Sequence, residues 1–140
     1  RLEQGLQHLI CGCLSNLLTP TGTQARLIDR CDLLLPFLVS MVDEGTLHAK
    51  YIAAACLRKC SANVANAERV VFAGALKPLI AMAHNPRIVI AEPHKRSHSR
   101  AGKSLYLHWQ AGRSIAALTK CEDVHMSIFR EGGIMALVQL

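Results

Sequence analysis

The chain has 140 residues, of which 51% are hydrophobic and 19% charged, and it carries a formal net charge of +6. That balance describes a folded domain with a core and excludes a disordered tail. No apolar run approaches the roughly 20 residues of a membrane span, and no charged-then-apolar leader is read at the start.

In chain order, residues 3–18 place Leu6, Leu9, Ile10, Cys13, Leu14, Leu17 and Leu18 at the 3–4 spacing of a helix face. The block CDLLLPFLVS (31–40) predicts a helix with Pro36 in its first turn, where a missing N–H does no harm. Helical rhythm returns over 47–60 in Leu47, Tyr51, Ala54, Leu57 and Cys60. The block AGALKPLIAM (73–82) opens a further helix that ends near His84, ahead of Asn85-Pro86. Past a polar stretch, a helix beginning near Leu105 carries Leu107, Ala111, Ser114, Ile115 and Leu118. No sustained alternation predicts a strand, so the fold class is all-α.

These elements repeat. CDLLLPFLVS, AGALKPLIAM and EGGIMALVQL (131–140) align, with Pro36 and Pro78 42 residues apart and Gly74 and Gly132 58 apart. ICGCLSNLL (10–18), AAACLRKCS (53–61) and AGRSIAALT (111–119) align with separations of 43 and 58. Both series give a period near 42, with about 16 residues added to one copy. The addition centres on HKRSHSRAGKS (94–104), a basic loop inserted between two helices.

The patterns ANAERVVFAGALKPLIAMA (65–83) and SIFREGGIMALVQL (127–140), with Leu14-Ser15-Asn16-Leu17, resemble the armadillo repeat. The resemblance covers nearly the whole chain. It implies a right-handed α-solenoid of three-helix repeats: a partial repeat over 1–20, full repeats over 21–63 and 64–120, and a partial repeat over 121–140. The insertion occupies about 85–104. Both ends of such a stack should expose apolar faces that flanking repeats would cover, and the chain reads as part of a longer protein.

Candidate chemistry is sparse. Gly102-Lys103-Ser104 ends like a phosphate-binding loop, but position 97 is Ser where that loop needs Gly, and no strand precedes it. The cysteines Cys11, Cys13, Cys31, Cys56, Cys60 and Cys121 form no Cys-x-x-Cys. They sit mostly in apolar segments, and the repeat slots of Cys13, Cys56 and Cys60 are core slots. This suits reduced thiols in a cytoplasmic protein, with cytoskeletal and nuclear sites as alternatives. No catalytic, metal or cofactor set emerges, so the expectation is a non-enzyme without cofactors. The sole Trp, Trp109, reads as a core or loop-anchoring residue.

By resemblance, the third helices line a partner groove. The Asn position of the motif recurs as Asn16, Lys59 and Ala117, and one turn earlier come Gly12, Ala55 and Arg113. With Arg58 the groove is mildly positive, which implies a protein partner with an extended acidic or phosphorylated segment. The basic loop residues Lys95, Arg96, Arg100 and Lys103, with Ser99 as a phosphorylation candidate, could meet a polyanion such as tubulin's acidic surface. The charge is too local to argue for nucleic-acid or membrane binding by the folded body. The leading expectation is an interaction scaffold, in a cytoskeletal or ciliary setting among others. The alternatives are the substrate-recognition arm of a ubiquitin ligase and a nuclear transport adaptor.

Overall fold

A computed structural model describes residues 3–85, 89–90 and 105–140. They form helices α1 (Gln4–Leu17), α2 (Thr23–Arg30), α3 (Leu34–Glu44), α4 (Leu47–Cys60), α5 (Val64–Phe72), α6 (Leu76–His84), α7 (Leu107–Leu118), α8 (His125–Arg130) and α9 (Gly133–Val138). A 3₁₀ turn over Glu122–Val124 leads into α8. The architecture is all-helical and repeat-like. α2, α5 and α8 come first in their units, α3, α6 and α9 form a second row, and α1, α4 and α7 pack side by side as the third row; α3 packs on α4 and α6 on α7.

The helix limits follow from local chemistry. Thr46 caps α4 by accepting the Ala49 N–H at 3.2 Å, and Asn63 caps α5 by accepting the Ala65 N–H at 3.0 Å. α6 ends at His84 because Asn85, held extended at φ −61° and ψ 142°, precedes Pro86. Gly74 and Gly132 reverse the chain at φ 90° and 84°, a region that costs other residues a Cβ clash.

Burial repeats with the sequence. Ala49, Ala53, Ala54, Cys56, Leu57 and Cys60 are buried in α4, and the residues 58 positions later are all buried in α7. Ile28, Val70 and Ile128 are buried at spacings of 42 and 58. The second helices keep a tighter register. Leu34, Leu35, Leu38, Met41 and Val42 recur 41 residues on as Ala75, Leu76, Leu79, Met82 and Ala83, all buried. The Pro alignment at 42 is therefore one residue out of step with packing: Pro36 is exposed and Pro78 buried. The left-handed glycine shortens the reversal. Buried Val70 and Ala75 are five residues apart, whereas Ile28 and Leu34, joined without a glycine, are six apart.

The expectation of no strand is corrected in one place. Val89 pairs with Tyr106 and Ile90 with Leu105 in a two-residue antiparallel ladder that joins the two ends of the insertion. α7 accordingly starts at Leu107, two residues after the expected Leu105. The core slot assigned to Cys13 is also corrected. Leu6, Cys13 and Leu17 sit 43 residues before buried Ala49, Cys56 and Cys60, yet all three are exposed. Among the described residues no helix covers that side of α1, so the slots that form a seam inside the stack lie bare there. At the other end Met126, Phe129, Ile134, Met135 and Val138 are exposed. Among the described residues no helix is long and apolar enough to cross a membrane.

Candidate functional site

The third-row helices carry most of the residues that the sequence singles out. Asn16 and Arg113 are exposed, while Gly12, Ala55, Arg58, Lys59 and Ala117 are half-buried. They occupy outward positions on α1, α4 and α7, which pack side by side. The basic loop residues Lys95, Arg96, Arg100 and Lys103, the candidate phosphosite Ser99, and Gly102 and Ser104 lie outside the described residues.

Two seams join these helices. Across the α1–α4 seam, Lys59 Nζ donates to Ser15 O at 2.8 Å, Ser15 Oγ at 2.9 Å and Thr19 Oγ1 at 2.9 Å. All three ammonium donors are thereby used, and the charge sits at the C-terminal end of α1, where the helix dipole favours a cation. The Thr46 N–H donates to Gln7 Oε1 at 3.1 Å across the same seam. The Lys59 ammonium, expected to be a free groove cation, is engaged within the chain.

The α4–α7 seam is built differently. Ser114 Oγ lies 2.9 Å from Ala54 O and from Gln110 O, which sets the register between the helices. Ala54 and Ala111 are both fully buried, and Gly112 serves the other side of α7, where a Cβ would run into the Leu140 side chain. Arg113 on α7 is near enough to Arg58 on α4 for the two positive charges to act on one another. The Arg113 guanidinium lies over the Trp109 ring, 5.7 Å from its centroid. The Arg58 Nε–H is shielded from solvent and has no acceptor. Burial lowers the Arg58 pKa, the Arg113 charge lowers it further, and Tyr51 raises it. Among the described residues neither guanidinium makes an ion pair; the salt bridge found there joins Arg69 to Asp29 on α5 and α2.

Trp109 is not a core residue. It is 60% exposed, on the open side of α7 under Arg113. Tyr51 and His8 lie 58 and then 43 residues earlier, the same separations as the other aligned positions, so each third-row helix carries a ring at this slot. His8 stands edge-on to His48, with centroids 5.6 Å apart. The spacing in the sequence held the signal for this row of rings, but the Asn-based motif drew the reading two turns further along.

Elsewhere, a cleft of about 560 Å³ lies between α2, α5 and the start of α3. Ile28, Leu35, Phe72 and Ala73 line it, beside Cys31, Asp32 and Glu68. Within the core, burial raises the Cys11 thiol to about 11 and the Cys56 and Cys60 thiols to about 12. They stay protonated at neutral pH and are poor nucleophiles. Among the described residues no group of three His, Cys, Asp or Glu side chains is placed to hold a metal ion. Comparison with family models, with curated proteins and with solved structures gave no match.

Proposed function

We propose that this chain is an armadillo-type α-solenoid segment that acts as a non-enzymatic protein-interaction scaffold. Its partner is an extended, acidic segment of another protein, laid across the open face of α1, α4 and α7. The observation that carries this reading is the pair of guanidiniums, Arg58 on α4 and Arg113 on α7, that make no ion pair among the described residues of a repeating stack. Repetition supplies the geometry: equivalent outward slots recur on neighbouring helices, as an extended chain requires. Exposed rings at Trp109 and His8 add contact area of low conformational entropy. Half-buried Gly12 and Ala55 leave room for a partner backbone between them.

The test is an unbiased peptide display on the 140-residue chain, followed by affinity measurement on the enriched sequences. Enriched segments should be acidic, and Arg58→Glu/Arg113→Glu should weaken them by at least about a hundredfold, as for loss of two charge-assisted contacts. Enrichment of basic segments, or affinities indifferent to the double reversal, would overturn the reading. A fold control comes from the far-ultraviolet circular dichroism of the variant.

A further inference from the structure

We propose that the cleft between α2, α5 and the start of α3 is a docking site for a partner protein segment that carries apolar side chains flanked by Lys or Arg. No residue of α1, α4 or α7 lines it, so the site is separate from the face assigned under the proposed function and does not depend on that reading.

The cleft joins apolar lining to an acidic rim. Ile28 and Leu35 are buried beneath it, at 2% and 8% exposure, while Phe72 stands beside them 94% exposed. Phe72 ends α5. The matching positions 42 residues earlier and 58 later, at the ends of α2 and α8, are the exposed Arg30 and Arg130. Two copies of the repeat put a solvated cation at this slot, and the copy that borders the cleft puts a phenylalanine there. A ring left almost wholly in water adds nothing to the core of its own chain. Set beside other apolar side chains, it has the composition of an interface centre, where aromatic residues are enriched. The cleft volume of about 560 Å³ lies within the range of binding pockets.

The charges choose the occupant. Arg69 donates to Asp29 Oδ1 at 2.5 Å and to Ile28 O at 3.2 Å, so the one cation of the lining is answered within the chain. Asp32 and Glu68 are exposed on the same rim, and among the described residues neither makes an ion pair. With Asp29, three carboxylates stand against one guanidinium. Such a rim repels a phosphate backbone or an anionic lipid surface. It attracts a segment whose Lys or Arg flanks the apolar residues that cover Phe72.

Cys31 lines the cleft and reports on it. Cys13 is the other exposed thiol and the remaining four are buried, so brief alkylation of the Cys13→Ser chain reads Cys31. The experiment selects displayed random peptides on this 140-residue chain and sorts the enriched ones by whether Phe72→Ser removes their binding. At a side chain so exposed, Phe72→Ser should leave helix content and the urea midpoint unchanged. The peptides that need Phe72 should be apolar and basic. At saturation they should slow Cys31 alkylation at least about tenfold, and Asp32→Lys/Glu68→Lys should weaken them at least about tenfold. Arg58→Glu/Arg113→Glu should leave them bound, which separates this site from the acidic-segment face. Phe72-dependent peptides that are acidic, or that leave Cys31 alkylation unslowed, would overturn the proposal, as would a selection that yields none dependent on Phe72. Self-association of the chain that Phe72→Ser abolishes would replace the partner with a second copy.

Discussion

The two seams of the third-row helices share a repeat position and differ in how they treat charge. Between α1 and α4, the cation Lys59 is answered by a carbonyl and two hydroxyls, and Cys11 and Cys56 lie buried at the packing surface. Between α4 and α7, the contact is small residues and one serine hydroxyl, and among the described residues the Arg58 and Arg113 guanidiniums make no ion pair. The contrast teaches that a repeat dictates where a side chain sits but not whether its charge is already used. One seam is closed by its own polar groups, and the other leaves its cations without an ion pair among the described residues.

Several measurements would break or sharpen that contrast. The largest effect should come from Leu57→Ala. Leu57 is buried in the helix common to both seams, so both should loosen, with a stability loss of about 2–5 kcal/mol in urea unfolding. A smaller effect would show that the seams do not share one core.

Alkaline pH should act next, through the buried thiols Cys11, Cys56 and Cys60, the first two of which belong to the first seam. Cys11 and Cys56 have folded pKa values raised to about 11 and 12 from 9.0. Their stabilisation is fully present below about pH 9. Above it the unfolded chain releases thiol protons that the folded chain holds, and stability falls as pH rises toward the folded values. Each thiol contributes a slope of about 1.4 kcal/mol per pH unit in that window. Unfolding midpoints measured from pH 8 to 10.5 should drop, and Cys11→Ala/Cys56→Ala should flatten the decline. A slope unchanged by that double variant would place the titration elsewhere.

Lys59→Met should cost about 1 kcal/mol, since it keeps the stem and removes three partly exposed hydrogen bonds. Hydrogen exchange at the end of α1 should accelerate with it. Arg113→Met should be the smallest change, within about 0.5 kcal/mol, because an exposed cation with a like-charged neighbour is removed. A large loss at Arg113 with none at Lys59 would invert the assignment of the two seams.

Much of the helical repeat was legible from residue spacing. The six buried positions of α4 and their images in α7 follow from small and apolar residues recurring at 58, and Gly74 and Gly132 mark their turns by being glycines. Three things were not legible, for separate reasons. Cys13 reads as core because periodicity assumes a neighbour on both sides, and α1 has a helix on one side only. Trp109 reads as a core or loop-anchoring residue because a large ring in an amphipathic helix is usually covered, and only the packing of α7 shows that it is exposed and not in the core. Lys59 reads as a free groove cation because a hydrogen bond to residues 40 and 44 positions away leaves no local mark. The candidate face was thus readable as a set of slots, while the state of each charge on it required coordinates.

The small ladder Val89–Tyr106 and Ile90–Leu105 has an architectural consequence. It clasps the two ends of the inserted chain while α6 and α7 pack directly on one another. Closing a loop of twice the length between the clasped ends costs only about 0.6 kcal/mol more in chain entropy, so the length of the insertion should weigh little on the stack. That position is a graft point: foreign sequence could be exchanged there, by evolution or by an engineer, without retuning the spine that carries it.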